Sequence, residues 1–195
     1  LEANALPSLE DGAGLLLAAG KRGLSYDRTI LTIVESAARR HGIPLEGERH
    51  SGGRHPGGLR GRQGGSKRIG LTFNLKRADT SADDSEAEFD SPKTIAGLRA
   101  ALEELGHEVV ELEALRDLPS RLVEAQVDLV FNIAEGAGGR NRESHVPSLC
   151  EFLGIPHTGS DAATLSICLD KALAKRLLLQ AGVPTPGFLQ MLSGE

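Results

Sequence analysis

The chain has no tryptophan, one tyrosine, one methionine and two cysteines in 195 residues. With aromatic residues at 3%, any core must be aliphatic, and the basic Arg-Gly-rich stretch lacks the rings that stack on nucleobases. Cys150 and Cys168 match neither zinc-ligand nor redox-pair spacing, so a reduced, cytoplasmic protein is expected. No apolar run approaches the roughly 20 residues of a membrane-spanning helix. The first residues lack the basic start and apolar core of a signal peptide, so no membrane partner is expected. A formal net charge of −5 argues against a general nucleic-acid binder, although residues 48–68 are basic and residues 79–90 acidic. The strand-like Leu1-Glu2-Ala3-Asn4 start, without an initiating Met, points to a natural N-terminus upstream.

What is present is glycine, 24 residues of it, much of it between 47 and 65. That stretch holds one large apolar residue, Leu59. It cannot offset its own ordering entropy, which predicts a flexible linker and the one firm domain boundary. Beyond it, apolar strands and amphipathic helices alternate. Strands are expected at 69–74, 108–112, 127–133 and 155–158, and helices at 94–105, 119–125, 145–153, 161–168 and 170–181. Ser91-Pro92 starts the first of these helices and Gly106 stops it. Alternation of this kind calls for an α/β fold with a parallel sheet and right-handed crossovers.

The third apolar strand empties into Glu135-Gly136-Ala137-Gly138-Gly139-Arg140-Asn141-Arg142-Glu143-Ser144, where an open α/β sheet places its ligand. Glycines let this backbone approach a ligand. Two arginines suit a carboxylate or phosphate, and Glu143 and Ser144 stand where they can favour and cap the next helix. Glu2 and Asn4 alternate onto one face of a strand and can share a hard cation such as magnesium. Lys171, at the start of a helix, suits an anion. Cys150 reads as core, and the histidines show no ligand spacing.

The run 131–161 and its Gly154-Ile155-Pro156-His157-Thr158-Gly159-Ser160 element resemble the N-terminal domain of the D-alanine–D-alanine ligase family, ATP-grasp carboxylate–amine ligases. Asp170-Lys171 and Ala181-Gly182-Val183-Pro184-Thr185-Pro186 continue that resemblance in order. Residues 1–9 resemble the last catalytic strand of the same family, and residues 10–43 its closing helix, so an end precedes a beginning. Two arrangements explain this: a window across two tandem ligase-like units, or a permuted chain. The implied division is 1–46, the tail of an upstream ATP-grasp domain with a strand-plus-helix remnant; 47–66, the linker; 67–160, a three-layer, Rossmann-like pre-ATP-grasp domain; and 161–195, the truncated start of an ATP-grasp domain.

The resemblance further implies roles. Glu2 and Asn4 would hold magnesium, and Lys171 would reach the phosphates of ATP. Glu86 or Glu88 would take the amino group of a first D-alanine. Glu135, Arg142, Glu143 and Ser144 would frame the reacting groups, although the family usually has His-Gly where this chain has Glu135-Gly136. The implied activity is formation of a peptide-like bond through an acyl phosphate, serving cell-wall peptidoglycan. Its small-molecule partners would be D-alanine or similar amino acids, with a homodimer among the open assembly states. The fragment alone is expected to be inactive. Two alternatives stand beside it: a non-catalytic small-ligand or partner-binding α/β domain with a disordered basic arm, and RNA contact through the Arg-Gly-rich stretch.

Overall fold

A computed structural model describes residues 6–45, 65–77, 86 and 88–191. Two helices, α1 (Gly14–Lys21) and α2 (Tyr26–His41), come first. Then follow β1 (Arg68–Phe73), α3 (Pro92–Glu104), β2 (Glu108–Glu113), α4 (Leu118–Ala125), β3 (Leu129–Asn132), α5 (His145–Leu153), α6 (Ala162–Leu169) and α7 (Lys171–Gln180). The expected α/β fold with a parallel sheet is what forms. The strand order is β2-β1-β3, and both pairings are parallel. Glu2, Asn4 and residues 47–64 of the expected linker 47–66 lie outside the described residues.

Local chemistry explains the boundaries. Ser91 accepts a hydrogen bond from the Thr94 amide at 3.1 Å, with Pro92 in the first turn, so α3 begins where its capping signal stands. Asp161 and Asp170 cap α6 and α7 in the same way. The single closing helix expected over 10–43 is instead two helices. The break falls at Gly23, whose φ is +80°, and at Ser25, whose hydroxyl accepts from the Arg28 amide and starts α2. The short strand expected at 155–158 reduces to one parallel bridge, Val130 to His157. That bridge still gives β3 a neighbour on each side, which accounts for its burial on both faces.

Helices cover both faces of the sheet. On one face α2 (Ile30, Val34, Ala37) and α3 (Ile95, Leu98, Leu102) pack on Ile69, Leu71, Phe73, Leu129, Phe131 and Ile133. On the other, Leu118 and Leu122 of α4 and Val146 and Cys150 of α5 meet Leu112, Val127, Val130 and Ala134. Cys150 is fully buried, and burial pushes its thiol up to about 12, so it serves as an unreactive core side chain. No helix among the described residues is long and apolar enough to cross a membrane.

Candidate functional site at the carboxyl ends of β1 and β3

Both central strands leave the sheet through a buried asparagine. Asn74 follows β1 and Asn132 ends β3, exposed by only 4% and 5%. A buried amide must find partners or cost stability, and each of these ties loops together. Asn132 Oδ1 accepts from Thr72 Oγ1 at 2.8 Å and from the Ala134 amide at 3.2 Å, while the main-chain N–H of Asn132 donates to Thr158 Oγ1 at 3.0 Å. Asn74 Oδ1 accepts from the Gly136 amide at 2.8 Å, and its Nδ2 donates to the Ala114 carbonyl at 3.3 Å. The main chain of Asn74 also accepts from the Asp90 amide at 3.0 Å, and the Lys76 amide donates to the Asp90 carbonyl at 2.9 Å. The segment ending at Asp90 is thereby drawn alongside the loop that starts at Glu135.

Gly136 is the pivot of that loop. Its φ is +77°, and a Cβ there would stand 2.4 Å from the carbonyl oxygen of Arg142. The loop therefore folds back on itself so closely that no side chain fits at its turn. A 3₁₀ turn at Arg142–Ser144 then leads into α5. The expected capping by Ser144 does not occur. Its backbone is helical rather than extended, and its buried hydroxyl donates back to the Asn141 carbonyl at 2.8 Å.

Charged groups from three segments meet around Glu135. Arg142 pairs with Glu88 and stands 3.7 Å from Glu143. Burial pushes the Glu135 carboxyl up to about 8; Glu143, Glu88 and Asp90 add to the shift and Arg142 opposes it. Burial raises Glu143 too, and Glu88 adds to that, while Arg142 and Lys171 pull it down. Asp90 is pushed up to about 6 by burial and by Glu10. The folded loop thus holds a proton near Glu135 at neutral pH, and a cationic group arriving there would replace it.

A pH dependence follows. The unfolded chain releases the Glu135 proton near the ordinary carboxylate value, whereas the folded chain keeps it to about 8. Stability therefore falls as pH rises through that window. Glu135→Gln removes the penalty. After allowance for partial exposure of the site, the variant is expected to gain on the order of 1–2 kcal/mol at pH 9 and nothing at pH 4. Urea unfolding of both proteins at the two pH values measures this, and equal differences at both would show that Glu135 does not titrate in that window.

The remaining candidates are placed as follows. Glu86 accepts from the Arg77 amide at 2.8 Å, and Arg77 pairs with Glu113, so Glu86 belongs to the neighbouring β2 edge while Glu88 reaches Arg142. Arg140 pairs with Asp170, tying the glycine-rich loop to the start of α7. Asp170 accepts from the Leu173 amide, which with Arg140 holds its carboxyl below the usual range. Lys171, exposed at the first position of α7, is close enough to Glu143 to favour its ionised form. No group of three or more His, Cys, Asp or Glu suited to a metal ion occurs among the described residues. Asn74 and Asn132 were not among the candidates, yet Phe73-Asn74 and Phe131-Asn132 carry a readable signal: a polar amide closing an apolar strand, twice.

No family model matches the chain. It is 41% identical over 105 residues to the D-alanine–D-alanine ligase of Moorella thermoacetica, covering 54% of this chain and 33% of that protein. To the D-alanine–D-alanine ligase of Aquifex aeolicus it is 39% identical over 103 residues, 53% of this chain and 35% of the relative. A protein of Sinorhizobium fredii named y4sG and described as uncharacterized is 38% identical over 103 residues, 49% of this chain and 31% of its own length. Over about half of its length the chain is therefore similar to D-alanine–D-alanine ligases, and it spans about a third of the length of the relatives it matches.

Proposed function

We propose that this chain is part of an ATP-dependent carboxylate–amine ligase similar to D-alanine–D-alanine ligase, and that its described part holds an amino-acid substrate at the carboxyl ends of β1 and β3. One observation carries this reading. Glu88, Glu135 and Glu143 gather around Arg142 at the exits of two parallel strands, in a chain about half of which is similar to such ligases. An amino acid brings an ammonium and a carboxylate. Glu135, with Glu88 or Glu143, suits the ammonium, because each carboxylate is ready to trade a proton or an internal ion pair for it. Arg142 suits the carboxylate by releasing Glu88, the exposed partner of the pair.

ATP with magnesium, when bound, supplies the phosphoryl group that activates a carboxylate for attack by an amine. Lys171 would meet the phosphates, its charge countering theirs. Glu2 and Asn4, oxygen donors two residues apart, would take the metal of the upstream unit, so they and Lys171 need not meet in one active site. Within the same reading, residues 1–46 are the end of one unit and 161–195 the start of an ATP-grasp domain, with 67–160 the substrate domain. Glu135 in place of the family's usual histidine changes the charge offered to the substrate from a potential cation to a carboxyl group, which favours ligands richer in ammonium groups.

The test is a titration of the chain with D-alanine and D-alanyl-D-alanine, followed by amide shifts at residues 134–144. Saturable binding in the roughly millimolar range, lost in Glu135→Ala and Arg142→Ala, is expected. Absence of binding by the folded chain would overturn the proposal. If the chain binds but the natural polypeptide turns over no ATP with these ligands, the non-catalytic binding-domain reading takes over.

A further inference from the structure

We propose that His41, the last residue of α2, is a pH-sensitive clasp: neutral, it fastens the end of that helix to the loop 157–159, and protonated it lets the loop go. The fold brings the two together. The β1–β2 crossover places α3 on one face of the sheet and the next two connections place α4 and α5 on the other, which leaves a flank beside α3 that α2 covers. The last turn of α2 thereby arrives at the outer edge of the sheet. There the Val130 amide donates to the Pro156 carbonyl at 2.8 Å, and the Val130 carbonyl accepts from the Thr158 amide at 2.9 Å. Residues 156 and 158 thus face β3. The N–H and C=O of His157 face outward, where no further strand pairs with them among the described residues.

The end of α2 meets both groups. Arg40 spreads its guanidinium over two carbonyls, donating to His157 at 2.6 Å and to Gly159 at 2.8 Å. His41 Nε2 lies 3.4 Å from the His157 amide nitrogen, 3.2 Å from the His157 carbonyl oxygen and 3.4 Å from Arg40 Nε. Two of these neighbours are N–H donors, so an unprotonated Nε2 accepts from both and gives the outward His157 N–H its acceptor. A proton taken from solvent reverses this. Nε2 then has only the His157 carbonyl to donate to, which Arg40 already holds, and an imidazolium stands beside a guanidinium. A helix end by itself favours a cation, and Arg40 already supplies one. Burial lowers the His41 pKa most, then Arg40; the His157 ring, 5.7 Å away, adds to this, and the His157 main chain opposes it. Glu151 of α5 faces His157, 3.8 Å from its Nε2. The unfolded chain takes up the His41 proton near the ordinary histidine value, about 6.5, and the folded chain only below it. The clasp is therefore complete above that value and is lost as pH falls below it. Thr158, the next residue, accepts from the main-chain N–H of Asn132 at 3.0 Å, so the loop held by the clasp also frames the exit of β3.

The experiment follows the full chain by NMR between about pH 7.5 and 5.5, on either side of the ordinary histidine value. The His41 ring is expected to titrate below that value. Along the same curve, protection of the His157 and Ile43 amides against hydrogen exchange, corrected for intrinsic rates, is expected to fall about fivefold, as for the loss of one hydrogen bond. Ile43 reports the end of α2 because its amide closes on the Ala38 carbonyl at 2.8 Å. His41→Gln keeps an acceptor that does not titrate, so the fall should vanish in that variant. Asp90, pushed up to about 6, titrates in the same window, and the difference between wild type and His41→Gln removes its contribution. A His41 midpoint at or above the ordinary histidine value would overturn the inference. So would amide protection that does not follow the His41 midpoint, or equal pH profiles in the two proteins. The first two readouts need no variant, so they decide even where His41→Gln fails to fold. No ligand enters them, and the ligase reading stands or falls separately.

Discussion

Phe131→Ala is expected to lower unfolding stability by about 3–5 kcal/mol. Phe131 is completely buried in β3, and its ring belongs to the cluster shared by α2, α3 and β1. Truncation removes the transfer free energy of the ring and leaves a cavity that neighbours on a sheet cannot close, since strand spacing is fixed by backbone hydrogen bonds. Urea unfolding should show a lower midpoint with an unchanged slope. Phe152→Ala is the control. That ring is 87% exposed on α5, so its removal should stay within about 0.5 kcal/mol. Similar losses at both positions would mean that the β3 face is not the centre of the core.

Gly136→Ala is expected to cost about 3 kcal/mol and to abolish ligand binding. Left-handed backbone costs a non-glycine residue on the order of 1 kcal/mol. The methyl group must also clear the Arg142 carbonyl, which stands 2.4 Å from where its carbon would lie. Relief of that clash pulls the Gly136 amide from Asn74 Oδ1, leaving a buried acceptor unsatisfied at about 1–3 kcal/mol. Glu135 and Arg142 lie on the two sides of the contact, so their relative position is lost with it. Gly138→Ala, in the same loop with nothing within 4 Å of its added carbon, should be near neutral. Equal effects at the two glycines would show that the loop closure is not what places the charges.

The candidate site was legible as a location more than as an arrangement. An apolar strand followed by glycine and charge marks a ligand edge in any open α/β sheet, and the 135–144 loop was found on that ground. Which of Glu86 and Glu88 faces the site was not readable, because both belong to one acidic run. The choice rests on Arg77 taking Glu86 and Arg142 taking Glu88. The buried asparagines that hold the loop were missed, since an amide after an apolar run looks like an ordinary strand end until its distant partners are in place, those of Asn74 being 40 and 62 residues away and Thr72 lying 60 residues from Asn132.

The sequence by itself determined the alternation of strand and helix, the parallel sheet, the helix starts at Ser91, Asp161 and Asp170, and the edge at which charge collects. Those features depend on contacts between neighbours a few residues apart: a cap and its amide, a period of apolar positions, a glycine where the chain must turn. Tertiary structure alone decided that α2 covers the flank left open by the crossovers, that Arg40 grips the carbonyls at 157 and 159, and that Glu135 keeps its proton well above the ordinary carboxylate range. Each of these depends on burial by groups distant in the chain. Burial of a charge or of an apolar face is a property of what surrounds it, which no local pattern records.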